Sequence, residues 1–448
     1  MDLPSAQTAG PTILQELPMA AQDLVGQRIK AIRRQRGLSQ AQLAHPELSD
    51  SYVSLIESGK RTPTPAVLEL LAQKLDCSLT YLVNGVTAEQ MEDLEVGLSF
   101  ARMALENGDV AEARRRYAEL LADGNLQGLA SLRVEARYGY ALASEACGEL
   151  AEAISVLQEL GEAEAETMTQ DRKIAVALAL CRCHRERGDY SAAVQVGERA
   201  LESLSRSGWS DALVELGATL LSVYLARGDL LRAGHFAAEL IAAAEALGTP
   251  RATVASSWNA ALVAERAGRG EEALALIERA LAIQSETGEP RNLARLRQTH
   301  ANMVLRLHPE ESEKARDLLL RAQRDMEGAA TSAFDRAQGA LDLAWAEIAL
   351  HHPQRAVEYA QAAVDLVRGT SGWLETRAAL ILSQARFMLH QDEEAAAELD
   401  TVSQWLENAL ATRKAAEDWM TIAEMRRRIG EDEQSVAAYQ RALACVEL

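Results

Sequence analysis

The stretch SDSYVSLIESGKR, residues 49–61, decides how the first part of the chain is organised. Ser49 suits a helix N-cap, because its hydroxyl can accept a hydrogen bond from a first-turn backbone N–H, and Gly59 suits a helix end. Between them, Val53 and Ile56 share one side of the predicted helix, and polar residues occupy much of the rest. The sequence therefore predicts a short helix that buries one side and offers the other to a groove.

Four further helical segments surround this stretch. They are LVGQRIKAIRRQRG, LSQAQLA, TPTPAVLELLAQKL and SLTYLVNG, at 24–37, 38–44, 62–75 and 78–85. In the first, Leu24, Ile29 and Ile32 are the predicted inward positions, and Ser39 is the predicted N-cap of the second. The pattern predicts a compact module of five helices.

Composition indicates a helical protein with more than one part. A chain of 448 residues is too long for one ordinary core, and 4% aromatic residues with abundant alanine favour closely packed helices. The formal net charge is −20, yet residues 24–84 hold eight Lys/Arg against five Asp/Glu, a net charge of +3. A basic module joined to an acidic one suggests two different partners.

The five-helix module resembles a known DNA-binding domain. LSQAQLA, SDSYVSLIESGKRTPTP and VLELLAQKLDCSLTYLV, in that order, resemble the helix-turn-helix of the Cro and phage-repressor (XRE) family over 24–84. One departure is HPEL at 45–48, a shorter turn than the family usually has, held by Pro46. The resemblance implies that 49–61 contains a DNA-recognition helix.

The resemblance also implies which side chains contact DNA. Gln40 would touch a phosphate or base edge, recognition-helix side chains would face bases, and residues after Gly59 would hold phosphates. A carboxylate such as that of Asp50 can accept a hydrogen bond from a cytosine amine, and Leu55 can pack on a thymine methyl group. The predicted DNA-contact residues are Gln40, Ser49, Asp50, Ser51, Tyr52, Ser54, Leu55, Lys60, Arg61, Thr62 and Thr64.

Two assignments in this module stay open. Tyr52 either packs on the first helix or reaches a phosphate. Arg33, Arg34 and Arg36 either form a solvated basic face or contact DNA directly.

The rest of the chain repeats itself. A glycine recurs at intervals of 40 residues, at Gly108, Gly148, Gly188, Gly228 and Gly268, and an alanine stands five residues after each. The alanine slot continues at Ala315, Ala356 and Ala395, and Gly430 opens a last unit. A fixed period of helix–turn–helix units is typical of an α-solenoid, and the units resemble tetratricopeptide repeats, whose usual period is ~34. The sequence predicts about nine helix pairs.

The resemblance to peptide-binding tetratricopeptide modules implies a ligand groove on the first helix of each pair. In that family an asparagine stands nine residues before the turn glycine, and Asn259 holds that place before Gly268. Amide and guanidinium groups can clamp a peptide backbone and a carboxylate. The predicted ligand-binding residues are Arg182, Arg185, Trp258, Asn259, Arg266, Gln298, Asn302 and Arg306. The alternative is that these amides pack between repeats and the arginines pair with neighbouring glutamates.

Signatures of other chemistry are absent from the sequence. Cys181, Cys183 and His184 look like a metal fragment, but residues 181 and 183 point ~200° apart on a helix, which favours core cysteines. The sequence contains no G-x-S-x-G, phosphate loop or H-E-x-x-H, so we expect no enzyme activity, no metal and no cofactor. It also lacks a membrane-spanning stretch and the basic start of a signal peptide, which predicts a soluble cytoplasmic protein.

The predicted organisation is all-α. It comprises a tail at 1–21, a five-helix DNA-binding domain of the lambda-repressor type at 22–85, a linker at 86–97 and a tetratricopeptide-type solenoid at 98–448. The chain resembles bacterial regulators that join an XRE-type helix-turn-helix to such repeats, several of which are peptide-pheromone receptors. That resemblance implies a homodimer that binds double-stranded DNA at a palindromic operator and a peptide or protein ligand in the groove. The alternative is an interaction scaffold with an auxiliary or vestigial helix-turn-helix.

Overall fold

A computed structural model describes residues 19–287, 290–327, 333–367, 372–409 and 411–446. Within these ranges every regular element is a helix, with 23 α-helices and three short 3-10 helices at Gly124–Gly128, Ser205–Ser207 and Pro309–Glu311. The predicted all-α class is confirmed. The chain divides into two compact units, of which one runs to Ala101 and takes in Arg115–Ala136, and the other holds Arg102–Arg114 and Arg137–Leu448.

The five predicted N-terminal helices are present. They are α1 (Met19–Gln35), α2 (Gln40–Ala44), α3 (Asp50–Glu57), α4 (Pro65–Lys74) and α5 (Leu79–Asn84). Helix α1 begins inside the stretch predicted as a tail, because its first residue is Met19. The remainder of that predicted tail, 1–18, lies outside the described residues.

Hydroxyl side chains start the short helices. Ser39 Oγ accepts a hydrogen bond from Gln42 N at 3.1 Å, and Ser39 N donates back to Gln42 Oε1 at 2.8 Å, which completes a capping box. Ser49 Oγ accepts from Tyr52 N at 3.2 Å, as the sequence predicts. Thr64 stands at the N-cap of α4 without a side-chain cap bond. These caps fix where α2 and α3 begin.

The core of this module contains the predicted apolar side of α3. Val53 and Ile56 are buried, and so are Leu43, Leu68 and Leu71 of the neighbouring helices.

The predicted register of α1 is wrong at one position. Leu24 is 44% exposed, whereas Val25 and Ile29 are buried. Since α1 runs unbroken from Met19, residues 25 and 29 stand four apart on the core side, and residue 24 is rotated ~100° away from them.

Nine helix pairs follow, in agreement with the predicted repeat number. In chain order the pairs are α6/α7 (Ala88–Glu106, Val110–Ala122), α8/α9 (Ala130–Ala146, Leu150–Ala163), α10/α11 (Gln170–Glu186, Tyr190–Leu204), α12/α13 (Asp211–Arg227, Leu230–Leu247), α14/α15 (Pro250–Arg266, Gly270–Thr287), α16/α17 (Pro290–Leu307, Ser312–Glu327), α18/α19 (Ala333–Ala349, Pro353–Val367), α20/α21 (Gly372–Met388, Asp392–Asn408) and α22/α23 (Arg413–Arg428, Asp432–Ala444). Most of the stretch predicted as a linker, 86–97, is the first half of α6.

The periodic glycines and alanines have the roles that their spacing predicts. Gly188 has a φ of +83°, a left-handed turn conformation that costs glycine little, and His351 and His390 adopt φ values of 59° and 57° at two later turns. The alanine slot is buried in all eight of its described occurrences: Ala113, Ala153, Ala193, Ala233, Ala273, Ala315, Ala356 and Ala395. A methyl side chain there allows the two helices of a pair to approach closely.

We expect Ala233→Leu to destabilise the array by about 1–3 kcal/mol, because the added carbons must fit where two helices pack without free space. The matched control is Ala238→Leu on the exposed side of the same helix α13, which should change stability by less than about 0.5 kcal/mol. Urea unfolding followed by circular dichroism measures both. Equal effects of the two substitutions would contradict the close-packing role of the alanine slot.

Candidate functional site

Helix α3 presents an exposed surface opposite its buried residues. Asp50, Ser51 and Ser54 are exposed, and Leu55 is 38% exposed. Ser49 combines its capping role with a contact to a neighbour, since its Oγ lies 3.1 Å from that of Ser51. The predicted base-facing residues therefore share one accessible surface that offers hydroxyls, a carboxylate and one apolar side chain.

Two basic residues follow directly after α3. The backbone N–H groups of Lys60 and Arg61 both donate to the carbonyl oxygen of Leu55, at 2.9 and 3.2 Å, so the chain folds back over the end of the helix. Arg61 places its guanidinium 5.2 Å from the ring centroid of Tyr52, a cation–π contact. Lys60 is exposed and forms no ion pair within the described ranges.

The ring of Tyr52 is half-buried and packs against the core of the module. Thr62 and Thr64 are exposed beside the two basic residues. Cations and hydroxyls thus border the exposed surface of α3 at its C-terminal end.

A buried ion pair lies beneath this surface. Arg33 of α1 donates to Glu57 of α3 through two bonds, Nε–Oε1 at 2.6 Å and Nη2–Oε2 at 3.0 Å. Gln40, at the first position of α2, donates to the same carboxylate at 2.8 Å. Burial opposes ionisation, but the hydrogen bonds from Arg33 and Gln40 outweigh it and hold the pKa of Glu57 below its usual range. One carboxylate therefore connects all three helices.

This ion pair determines the role of Arg33, which the sequence leaves open. Arg33 is neither part of a solvated basic face nor free to contact DNA, because it is buried against Glu57. Arg36 is exposed but bonded to Asp76 at 3.1 Å, and Arg34 is exposed.

The short HPEL turn is held by a lysine from α4. Lys74 Nζ donates to the carbonyl oxygens of Leu43 and Ala44 at 3.2 Å and of His45 at 2.6 Å. It also forms an ion pair with Glu47 at 2.5 Å. The last carbonyls of α2 are thus satisfied by a side chain of α4.

In the repeat array, the predicted groove arginines are paired with neighbouring helices. Arg182 of α10 makes a two-bond contact with Glu145 of α8, at 2.8 and 2.7 Å. Arg306 of α16 makes the same contact with Glu265 of α14, at 2.6 and 3.1 Å. Each pair joins the first helices of consecutive repeats.

Arg185, another predicted groove arginine on α10, also contacts the first helix of the next repeat. Its Nη1 donates to Ser222 Oγ on α12 at 2.9 Å. The guanidinium also lies 3.7 Å from Glu186 Oε1 on its own helix.

The predicted amide and indole groups also have partners within the array. Trp258 Nε1 donates to Thr299 Oγ1 of the next repeat at 3.2 Å, and Asn259 Nδ2 donates to the carbonyl oxygen of Ala255 at 3.1 Å. Asn302 is hydrogen-bonded to Asp342, and Gln298 is buried. The contacts of Trp258 and Asn302 join neighbouring repeats, as in the packing alternative, whereas Asn259 bonds within its own helix.

Asp342 of α18, the partner of Asn302, is a deeply buried acid. It accepts hydrogen bonds from Gln338 at 2.9 Å and Arg377 at 3.1 Å in addition to Asn302. Burial raises the pKa of Asp342 despite these bonds.

The last repeat contacts the fourth repeat of the array. Helix α22 contacts α12, which precedes it by five repeats, and it also contacts α20. Arg266, a predicted ligand-binding residue on α14, lies 4.0 Å from Glu417 of α22. The structure thus brings one predicted groove residue against the C-terminal repeat and distributes the others among contacts between adjacent repeats.

The cysteines that resemble a metal fragment lie in the core. Cys181 and Cys183 are buried, and burial raises the pKa of Cys181 to about 11. Within the described ranges no group of three or more His, Cys, Asp and Glu side chains is arranged to hold a metal ion. None of the helices described combines the length and the apolar character needed to cross a bilayer.

Comparison with known proteins gives matches to the N-terminal module. The helix-turn-helix family model matches residues 29–82. An immunity repressor protein of Bacillus phage phi105 is 42% identical over 72 residues, which cover 16% of this chain and 50% of the repressor. An uncharacterized HTH-type transcriptional regulator of Sinorhizobium fredii is 39% identical over 66 residues, 14% of this chain and 86% of that protein. The chain belongs to the XRE-type helix-turn-helix transcription regulators.

Solved structures match the chain over most of its length. The apo form of the quorum sensor NprR from B. thuringiensis has a TM-score of 0.51 and 14% identity, covering 85% of this chain and 99% of NprR. A Rap protein complexed with Competence and Sporulation Factor also has a TM-score of 0.51, at 13% identity, covering 80% and 98%. At these identities the likeness shows the fold, which agrees with the predicted repeat array.

Sequence reasoning missed the buried ion pair between Arg33 and Glu57, although the sequence contains a signal for it. Arg33 stands four residues after the core position Ile29, and Glu57 stands four residues after Val53. Opposite charges at two core-facing positions of neighbouring helices predict a buried ion pair. The roles of the eleven predicted DNA-contact residues and eight predicted ligand-binding residues stay predictions.

We expect Glu57→Gln to destabilise the helix-turn-helix module by about 3 kcal/mol, because it leaves the buried guanidinium of Arg33 without a counter-charge. The control is Glu69→Gln on the exposed side of α4, with an expected change below about 0.5 kcal/mol. Chemical unfolding followed at the module's own amide signals measures both. A similar effect of the two substitutions would show that the buried pair is dispensable.

The same carboxylate predicts a pH dependence. Because the folded pKa of Glu57 lies below its ordinary value of 4.5, its stabilising contribution is fully present above pH 4.5 and is lost as the pH falls through the folded pKa. The stability difference between the wild type and Glu57→Gln should therefore shrink below that pH. Unfolding titrations at several pH values measure it, and a difference that stays constant on acidification would contradict the assignment.

Proposed function

We propose that the chain is a sequence-specific DNA-binding transcription regulator that acts as a homodimer and whose repeats sense a ligand, most simply a peptide. The observation that carries the DNA-binding part is the surface of α3. Hydroxyls, one carboxylate and Leu55 are exposed together, and Lys60 and Arg61 follow at the end of the helix. This arrangement supplies base-reading groups and phosphate-binding cations on one surface.

The charge distribution supports DNA binding by the N-terminal module alone. Residues 24–84 carry a net charge of +3 in a chain whose net charge is −20. The acidic repeats would be repelled by DNA, so productive contact is confined to the basic module. Action on chromosomal DNA assigns the protein to the cytoplasm.

A homodimer follows from the geometry of DNA reading. One recognition helix reads a half-site, and two half-sites one helical turn apart need two copies related by a two-fold axis. A palindromic operator is therefore the proposed target.

The groove residues are the proposed ligand site. A peptide carboxylate can compete with Glu145 or Glu265 for the guanidinium of Arg182 or Arg306, because these arginine side chains are 31% and 50% exposed. NprR is described as a quorum sensor, and the Rap structure contains Competence and Sporulation Factor, which supports a sensing role for the repeats. Ligand entry between α12 and α22 would separate the last repeat from the fourth. It would thus shift the population between two arrangements of the array.

The first test is selection from a random pool of double-stranded DNA. We expect the wild type to enrich a palindromic sequence, and Lys60→Ala/Arg61→Ala to bind that sequence more weakly with a salt slope shallower by about 1.8, since each lost phosphate contact removes ~0.9. The control is Arg427→Ala/Arg428→Ala on α22, which removes the same charge from two adjacent exposed arginines of the array. The control should keep the wild-type slope.

Enrichment of no palindrome by the wild type would remove the regulator proposal. Equal slopes in the two double variants would instead reject the assignment of Lys60 and Arg61 while leaving DNA binding in place.

The second test concerns the groove. Peptides recovered by the wild type from a random-peptide library should lose binding to Asn259→Ala/Asn302→Ala by at least about tenfold, because two amides that can hold a peptide backbone are removed. The control is Asn408→Ala, since Asn408 also donates to the carbonyl four residues earlier, at 3.0 Å, but lies on a second helix. Isothermal titration calorimetry measures all three proteins, and unchanged affinity in the double variant would exclude this groove as the site.

A further inference from the structure

A glycine near the start of the array lies against the end of the DNA-binding module. A Cβ atom added to Gly128 would lie 2.4 Å from the carbonyl oxygen of Asn84, the last residue of α5, and 3.1 Å from Nη2 of Arg28. The 2.4 Å distance to a backbone oxygen is incompatible with a side chain unless the backbone moves, whereas the 3.1 Å distance requires only a small shift of the guanidinium. The short 3-10 helix Gly124–Gly128 therefore packs on α5 at a separation that only glycine permits.

Arg28 fills the other side of this contact. From α1 its Nη1 donates to the carbonyl oxygens of Leu82 and Val83, at 3.2 and 2.6 Å, so it satisfies the end of α5. A Cβ added to Gly85 would lie 2.9 Å from Nε of Arg28. One guanidinium thus lies between the end of α5 and the approaching Gly128.

Apolar residues continue the contact away from the guanidinium. Val86, directly after α5, is buried in a cluster with Leu94 of α6, with Leu126 and Leu129, and with Ala136 of α8. The segment predicted as a linker therefore contributes Val86 and Leu94 to a buried cluster. The end of the DNA-binding module and the segment 124–136 share one small core within the first compact unit.

Helix α8 connects this small core to the rest of the array. It begins at Ala130, next to Gly128, and runs unbroken to Ala146, past the end of the first compact unit at Ala136. A rigid helix carries a displacement at one end to the other. We propose that Gly128 and Arg28 form the joint through which the state of the repeat array reaches the DNA-reading helices. The proposal rests on the proposed function for what that state controls.

The joint makes the end of α5 sensitive to position 128. A side chain there must push 124–129 away from the carbonyl oxygen of Asn84, and it crowds the guanidinium of Arg28 that is bonded to the end of α5. Position 124, at the other end of the same 3-10 helix, has no heavy atom within 4 Å of an added Cβ. The two glycines therefore form a matched pair, in which a side chain disturbs the joint at one position only.

The first experiment is hydrogen–deuterium exchange by mass spectrometry on the full chain without DNA. Gly128→Val should raise exchange at the end of α5 and at 84–86 by about tenfold, and Gly124→Val should leave it within about twofold of the wild type. Arg28→Met, which keeps the aliphatic stem and removes the donors, should raise exchange in the same peptides. It also decides the question if Gly128→Val does not fold.

The second experiment adds the DNA that the wild type selects. Because coupling is reciprocal, DNA should lower exchange in 124–146 of the wild type and of Gly124→Val, and this response should be absent in Gly128→Val and Arg28→Met. Unchanged exchange at the end of α5 in both joint variants would overturn the proposal. A DNA response in 124–146 that persists in both would overturn it as well.

The two proposals fail in different ways. If the wild type selects no DNA, the proposed function falls, and the first experiment still decides whether the joint holds α5. If the wild type selects DNA but shows no response in 124–146, the joint is rejected and the DNA-binding function stands.

Discussion

The two-bond ion pair between Arg33 and Glu57 is the interaction on which the DNA-reading surface depends. Glu57 is the last residue of α3, and its carboxylate also accepts from Gln40 at the start of α2. Helices α2 and α3 have only five and eight residues, so they make few apolar contacts that could define the angles between the helices. A planar guanidinium bonded to a carboxylate at 2.6 and 3.0 Å tolerates little rotation. The orientation of α3 is therefore determined from inside the module.

In the repeat array, most contacts join neighbouring helices. Its alanine slot lets the helices of each pair approach closely, and pairs such as Arg182–Glu145 and Arg306–Glu265 join one repeat to the next. Repeat arrays derive stability from the sum of such contacts over neighbours. Under the proposed function, a ligand that competes for one of these arginines would change the spacing of two repeats. The polar contacts of the predicted groove are thus also the contacts between consecutive repeats.

How much the sequence predicted depends on whether a feature is local or periodic. The five N-terminal helices, their caps at Ser39 and Ser49, and nine repeats follow from spacing, because capping and turn chemistry act within a few residues. The predicted register of α1 is wrong because Leu24 and Val25 are adjacent apolar residues. Val25, which stands four residues before Ile29, is the one that is buried. Apolar periodicity also says nothing about charges, which is why Arg33 was not recognised as a buried partner of Glu57.

Contacts between segments far apart in the chain lay beyond sequence reasoning altogether. The approach of Gly128 to Asn84 joins residues whose own neighbourhoods are ordinary turns, and no local pattern marks it. The same holds for the contact of α22 with α12, which no 40-residue period predicts.

These two distant contacts determine what kind of response the array can give. In a chain of nearest-neighbour contacts, a local change weakens with each repeat that it crosses. A contact between α12 and α22 joins the fourth repeat to the last one, across five repeats. The Arg266–Glu417 ion pair also reaches the last repeat, but it spans 4.0 Å between half-exposed side chains and adds little energy. Under the proposed function, a ligand that separates α12 from α22 would make the array a two-state element that regulates rather than one that only stabilises.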